Sequence, residues 1–358
     1  MVEGDPLEHA ENLIAAGKPE AAAEFLRAHL QAGSGGLLAR LVLVRALLAA
    51  NDVPGALTEA REASSLNPGI AAAAIALGEA LWRGQFLPAA IAEFQRALRL
   101  DPDSVDARLL LGSAWLDAGE ADRALEFLAE LPADTPGLAK KIAAAEAIRT
   151  AQRSDAGYVR HLFNQFSSDY DARMRGQLAY AAPEILRDMA DMVMAGRAKL
   201  SILDLGCGTG LAGEVFQSRA AHLDGVDLSP AMIEKAKQRG IYNHLAVADI
   251  EDFLAQDGPL YDLILAADTL VYLGDLTKLF SGAAHRLAPN GYFLFTVEKD
   301  EGAGFALGPK RRWRHSESYL RAEAARAGLN LAGIVAAAPR QEANQPVEGF
   351  AVALSRIA

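Results

Sequence analysis

Leu203 to Gly213 reads LDLGCGTGLAG, and the fold of the second half of the chain turns on this stretch. An apolar strand ends, a glycine-rich turn follows and a helix begins. Gly208 to Gly213 spells G-x-G-x-x-G, the fingerprint that seats a pyrophosphate on a helix N-terminus. Yet Asp204 stands two residues before the first glycine of the turn, Gly206. A carboxylate there opposes a bound phosphate, so the glycines alone do not name the ligand.

From residue 199 onward, strand-like runs alternate with helical ones: LSILDL, LAGEVFQSRA, LDGVDL, SPAMIEKAKQR, HLAVA, YDLILAA, GYFLFTV. This alternation predicts a mostly parallel sheet with helices on both faces. Ligands in such sheets bind beyond the carboxyl ends of the strands. Acids gather there: Asp204 after the first strand, Asp227 after the second, Asp249 after the third, and Asp268 after Ala266-Ala267 at the fourth. Asp227 suits the two hydroxyls of a ribose. An NAD pyrophosphate meets an unfavourable field in this crevice. S-adenosylmethionine has an adenosine, no phosphate, and a cationic ammonium and sulfonium, so the same acids favour it.

The first half is organised differently. Ala22, Ala56, Ala90 and Ala124 share a 34-residue spacing, as do Pro68, Pro102 and Pro136. Gly78 and Gly112 repeat at the same period. Gly17, Asn51 and Gly119 fall at one position of that frame, where the missing member is Gln85, with Gly84 one place earlier. Small residues let two helices approach closely, prolines end helices, and Gly or Asn supplies the turn. The pattern resembles a tetratricopeptide array of four units over residues 1–138, degenerate at both ends. A linker helix is expected over 139–154, and a second domain over 155–358. Stacked repeats present a concave surface for a partner rather than for chemistry.

The second half resembles a class I S-adenosylmethionine-dependent methyltransferase, on LDLGCGTG paired with GVDLSPAMIEKA. The whole chain resembles the bacterial methyltransferases with tetratricopeptide repeats. Their catalytic half is related to the methyltransferases of biotin and ubiquinone synthesis, and PRQEANQPVEGFAVALSR is similar to that group's terminal strand pair. The resemblance implies a helical cap over 155–198 and a Rossmann-like core over 199–358. Its seven-stranded mixed sheet would have order 3-2-1-4-5-7-6, the last strand antiparallel. It implies Asp204, Gly206, Gly208 and Gly210 in the cofactor loop, and Asp227 on the ribose. Leu228 and Met232 would flank the adenine, with Asp249 and Ile250 at its edge. The Ala266 carbonyl would meet the methionyl ammonium. Phe163, Phe166 and Tyr170 share a helix face, and the resemblance places Phe166 and Tyr170 over the cofactor.

The catalytic candidate is His315, in RRWRHSESY after the fifth strand, as a general base. KRRWRH (310–315) is a dense basic run with two readings, a solvated loop or a clamp for an anionic substrate. His161, His244 and His285 read as structural, Cys207 as inert, and no metal is expected. The net charge of −11 divides as 13 basic against 21 acidic residues over 1–152 and 22 against 25 thereafter. Neither half is basic, which excludes nucleic-acid binding by counterion release. No apolar run spans a membrane, the N-terminus lacks a signal peptide's pattern, and one cysteine fits a reducing cytoplasm. Three readings follow: a methyltransferase acting on a small molecule or a partner-presented group, a non-catalytic adaptor that senses the cofactor, and an NAD-linked oxidoreductase. In the first two the repeats bind a protein partner or a second copy.

Overall fold

The computed structural model describes residues 5–166, 170–176, 178–308 and 311–356, without the side chains of Gln165 and Phe166. It divides into two compact units, Met1–Thr150 and Ala151–Ala358.

The first unit is four helical hairpins. They are α1 (Pro6–Ala15) with α2 (Pro19–Gln31), and α3 (Gly36–Ala49) with α4 (Val53–Leu66). Next come α5 (Ala71–Arg83) with α6 (Leu87–Leu100), and α7 (Val105–Asp117) with α8 (Ala121–Leu128). Every hairpin closes alike. Gly17, Asn51, Gln85 and Gly119 all adopt left-handed φ, between 60° and 70°. The following N–H reaches five residues back: Lys18 to Leu13, Asp52 to Leu47, Phe86 to Leu81 and Glu120 to Trp115. That bond satisfies a carbonyl which the helix end leaves open. The four repeating alanines have no exposed surface. A Cβ at Gly78 would come within 2.4 Å of the Phe94 ring, so α5 and α6 meet through the missing side chain. A further helix, α9 (Leu138–Thr150), packs Leu138 and Ala145 into the cluster around Leu128. It ends at Thr150 rather than 154, and residues 151–154 belong to the second unit.

The second unit begins with α10 (Ala156–Phe166), α11 (Tyr170–Gly176) and α12 (Ala182–Val193). The core follows as β1 (Leu200–Leu205), α13 (Leu211–Phe216), β2 (Ala220–Asp227), α14 (Pro230–Gln238), β3 (His244–Val247), α15 (Ile250–Ala255), β4 (Tyr261–Ala266), α16 (Thr277–Arg286) and β5 (Leu287–Lys299). Then come β6 (Phe305–Leu307), β7 (Trp313–His315), α17 (Glu317–Arg326), β8 (Leu329–Ala337), the two-residue strands β9 (Gln341–Glu342) and β10 (Gln345–Pro346), and β11 (Gly349–Arg356). The main path runs β3-β2-β1-β4-β5-β11-β8. Pairs from β3 to β5 are parallel, and β11 is antiparallel to both neighbours. Seven strands in the order 3-2-1-4-5-7-6 is the expected fold. Both faces are covered, which is why β1 reads as a nearly continuous apolar run. Leu203 and Leu205 enter the core with α15 and α16, while Ile202 packs with α12 and Phe216.

Gln85 is the one left-handed turn residue of the repeats that is neither Gly nor Asn, and its side chain is exposed. Left-handed backbone costs an L-residue about 1–2 kcal/mol. Gln85→Gly is expected to stabilise the protein by about 1 kcal/mol, offset in part by glycine's greater unfolded entropy. Urea unfolding of the variant checks it.

Candidate functional site

A cleft of about 680 Å³, including its open mouth, lies at the carboxyl ends of β1, β2 and β4. Seven of the expected residues line it: Tyr170, Gly206, Gly208, Asp227, Leu228, Asp249 and Ile250. Asp227 ends β2 and is nearly buried. The Gly208 N–H donates to its Oδ2 at 2.9 Å and the Ser229 N–H to its Oδ1 at 2.8 Å. Burial pushes its carboxyl up to about 6, against the pull of these backbone donors. A carboxylate oxygen offers two lone pairs, so each oxygen keeps one for a ligand hydroxyl.

The glycines divide by what they avoid. A Cβ at Gly206 would meet Thr269 at 2.3 Å, at Gly210 the Arg239 side chain at 2.9 Å, and at Gly213 the Tyr242 hydroxyl at 2.3 Å. At Gly208 it would meet nothing within 4 Å. Three glycines therefore make room for the protein, and Gly208 leaves room for a ligand. All of Gly206, Gly208 and Gly210 have positive φ.

Four expected contacts fall outside the lining. Asp204 lies beneath the loop, 1 % exposed, and accepts from the Tyr242 hydroxyl at 2.7 Å. Burial pushes its carboxyl up to about 7. Gly210 packs on Arg239, and Met232 is buried in α14, where its N–H caps on Ser229 Oγ at 3.1 Å. Ala266 is a core residue, and Ala267 lines the cleft in its place. The side chain of Phe166 lies outside the described residues.

Arg153, which no sequence motif marked, enters the same cleft. Residues 152–154 run as an extended strap along the loop after β4. Gln152 O accepts from Gly274 and Asp275, Arg153 bridges Leu273, and Ser154 N donates to Tyr272 O. The Arg153 guanidinium pairs with Asp249 and Glu251. Asp249 Oδ1 meanwhile caps α15 by accepting from Glu251 N at 2.9 Å. A second clasp holds α11. Arg239 pairs with Asp171 and Glu214, and donates to Thr209 O at 2.5 Å. Thr209 Oγ1 also donates to Asp171 at 2.5 Å. These bonds bring Tyr170 to the cleft.

Known protein families match both units. The family profile described as a methyltransferase domain matches residues 203–293, and a tetratricopeptide-repeat profile matches 41–104 and 75–139. The chain carries a methyltransferase domain and tetratricopeptide repeats. Among curated relatives, the ubiquinone biosynthesis O-methyltransferase of Xylella fastidiosa strain 9a5c is 32 % identical over 103 residues, 27 % of this chain and 42 % of that protein. The malonyl-[acyl-carrier protein] O-methyltransferase of Salmonella typhimurium is 31 % identical over 105 residues, 29 % of this chain and 41 % of that one. The chain thus spans less than half the length of these relatives. Among solved structures, the magnesium protoporphyrin IX methyltransferase of Synechocystis PCC 6803 with bound SAH is 19 % identical. It aligns with 57 % of this chain and 100 % of its own, at a TM-score of 0.44.

Beside the cleft of the methyltransferase domain lies a second cavity of about 670 Å³, sharing Phe163, Tyr170, Asp268 and Tyr272 with it. Arg312 and Arg340 line this cavity. Arg340 is 1 % exposed and ion-paired to Asp268, Glu298 and Glu342, while Arg312 pairs with Glu342 and approaches Glu298 at 3.8 Å. Burial raises the Asp268 carboxyl, opposed by both arginines.

His315 is not in either cavity. It has no exposed surface, and its Nε2 donates to the Gly274 carbonyl at 2.9 Å. Burial holds its imidazole down at about 4. The expected general base is therefore a buttress: it stacks on Tyr319 and supports the loop that pairs with the strap. The basic run does not act together as a clamp. Arg311 lies over the Tyr158 ring, Arg312 joins the Arg340 network, and Lys310 lies outside the described residues. Cys207 is buried, which pushes its thiol well above its usual range.

Asp204 and Asp227 hold more protons in the folded chain than unfolded between about pH 4 and 7. Their contribution to stability therefore falls as pH rises through that window. Asp204→Asn keeps an acceptor for Tyr242 and removes the buried charge. It is expected to stabilise the protein by roughly 2 kcal/mol more at pH 8 than at pH 5. Urea midpoints of both proteins at the two pH values check the difference.

Proposed function

We propose that the second unit binds S-adenosylmethionine in the cleft and transfers its methyl group to a small acceptor in the adjoining cavity. The observation that carries this reading is Asp227, fixed by two backbone N–H groups at the cleft beside the open position of Gly208. Its remaining lone pairs suit the two ribose hydroxyls. Leu228 and Ile250 offer apolar surface to the adenine, and Asp249 an acceptor for its amino group. Asp268 and the aromatic faces of Phe163, Tyr170 and Tyr272 suit a cationic methionyl end. That methyl donor supplies an electrophilic carbon on a sulfonium, which needs little help to leave. The protein's work is then to hold the acceptor in line and keep water out.

The acceptor cavity already balances its arginines with three carboxylates, which favours a polar acceptor over a strongly anionic one. Asp268 lines both cavities and is the carboxyl placed to take a proton from an attacking hydroxyl or amine. The repeats serve to bring a protein partner, and acceptors it presents, to this unit. Among the described residues no helix is long and apolar enough to cross a membrane.

Calorimetric titration tests the reading directly. S-adenosylmethionine is expected to bind and NAD not to. Asp227→Ala should weaken binding at least tenfold, since two hydrogen bonds to a charged group are worth about 1.5–3 kcal/mol each. Wild-type affinity should fall between pH 7.5 and pH 5, because Asp227 protonates near 6 and loses acceptor capacity. Unchanged affinity in the variant overturns the site. Radiolabelled donor incubated with fractionated extract then shows whether label enters small molecules.

Arg153→Ala is expected to weaken binding about threefold to tenfold, since a cleft-lining ion pair to Asp249 and Glu251 is broken. Arg153→Lys should recover part of the loss. Full affinity in the alanine variant would show that the strap merely borders the cleft.

A further inference from the structure

A second cluster of chemistry-bearing side chains lies on β2 and β3, near the start of β2 and away from Asp227 at its other end. His222 and Asp224 are alternate residues of β2, so they share a face of the sheet. His244 is the in-register partner of Asp224 on β3. The ligating atoms of the three lie within 4.8 Å of one another. His222 Nε2 is 2.8 Å from Asp224 Oδ1. The contact is not aligned as a hydrogen bond, and among the described residues Oδ1 has no hydrogen-bond partner. The other carboxylate oxygen is fixed, accepting from the Tyr261 hydroxyl at 2.9 Å. Arg286 forms no ion pair with it; that guanidinium donates instead to the carbonyls of Pro259, Phe253 and Gln256.

A carboxylate only 6 % exposed thus turns an oxygen that accepts no hydrogen bond toward two imidazoles. We propose that His222, Asp224 and His244 bind a divalent transition metal of the zinc class. Two imidazoles and one carboxylate are the donors such ions prefer, whereas calcium and magnesium select all-oxygen sets. A tetrahedral zinc needs ligand atoms about 3.4 Å apart, given bonds near 2.1 Å. Asp224 is held in place, and the more exposed rings of His222 and His244 can turn to adjust, since the 2.8 Å between His222 and Asp224 must widen slightly and the longest separation, up to 4.8 Å, must shorten. Tyr261 plays the outer-shell part that orients a metal-binding carboxylate. Three protein ligands leave a fourth position for water. The ion joins the edge strand β3 to β2, and β3 leads through Ala248 to Asp249 in the cleft.

The test uses the full chain after chelator treatment, titrated with zinc chloride by calorimetry and with cobalt(II) by visible absorption. One zinc should bind with a Kd of about 10 µM or tighter, and cobalt should show the intense absorption of a four-coordinate site. His244→Ala, a change on an exposed side chain, should weaken zinc binding at least tenfold, and Tyr261→Phe by roughly ten- to a hundredfold through the outer shell. Asp224→Asn should behave like His244→Ala; if it fails to fold, His244→Ala decides alone. Zinc binding weaker than about 1 mM overturns the site, as does wild-type affinity retained in both His222→Ala and His244→Ala.

Discussion

The methyltransferase unit depends on one carboxylate held by two backbone N–H groups. Asp227 ends β2, and its oxygens draw Gly208 from the loop after β1 and Ser229 from the start of α14. Two neighbouring strand ends are thereby locked to one another. The hydrogen bonds satisfy half of what a buried carboxylate requires, and the rest is left toward the cleft. Burial raises its pKa, and the backbone donors offset only part of that rise. A fully satisfied Asp227 would stabilise the fold more and bind a ligand less.

Much of this was legible in the chain. The 34-residue period fixed four hairpins, because each hairpin must end its first helix in the same left-handed turn. The alternation of apolar runs fixed the sheet, because strands buried on both faces tolerate few polar residues. Acids at strand ends stood out as polar breaks in those runs, and Asp227, Asp249 and Asp268 all reach the cleft. Where the reading failed, it failed by one residue or one layer. Ala267 replaces Ala266 because the strand ends there and the chain turns toward the cleft. Asp204 points away from the cleft because successive side chains of a strand alternate between faces.

The residues that were missed are those whose partners are distant in sequence. Arg153 finds Asp249 and Glu251, Arg239 finds Asp171, and Arg340 finds Asp268 and Glu298. No local period marks a residue that acts through such a pair. His315 shows the converse error. Its neighbours RRWR suggested a solvated, reactive stretch, yet β7 pairs with both β5 and β6, and the imidazole is enclosed by Phe305, Tyr319 and the Gly274 carbonyl. One histidine among arginines carries no signal of burial until the strand pairing is known.

The three glycines of G-x-G-x-x-G, Gly208, Gly210 and Gly213, face different surroundings. In a dinucleotide fold the third glycine of G-x-G-x-x-G serves helix-to-strand packing, and the second the approach of a pyrophosphate. Here the third, Gly213, makes room for the Tyr242 hydroxyl, which in turn binds Asp204. The second, Gly210, yields to Arg239, whose guanidinium clasps α11 rather than a ligand. Only the first, Gly208, opens on the cleft. A motif with three glycines at the dinucleotide spacing thus spends two of them on a tyrosine and an arginine that brace the loop from behind. With Gly210 and Gly213 so occupied, the loop stays open at Gly208 alone of the three, beside the Asp227 carboxylate, an arrangement that opposes a bound phosphate.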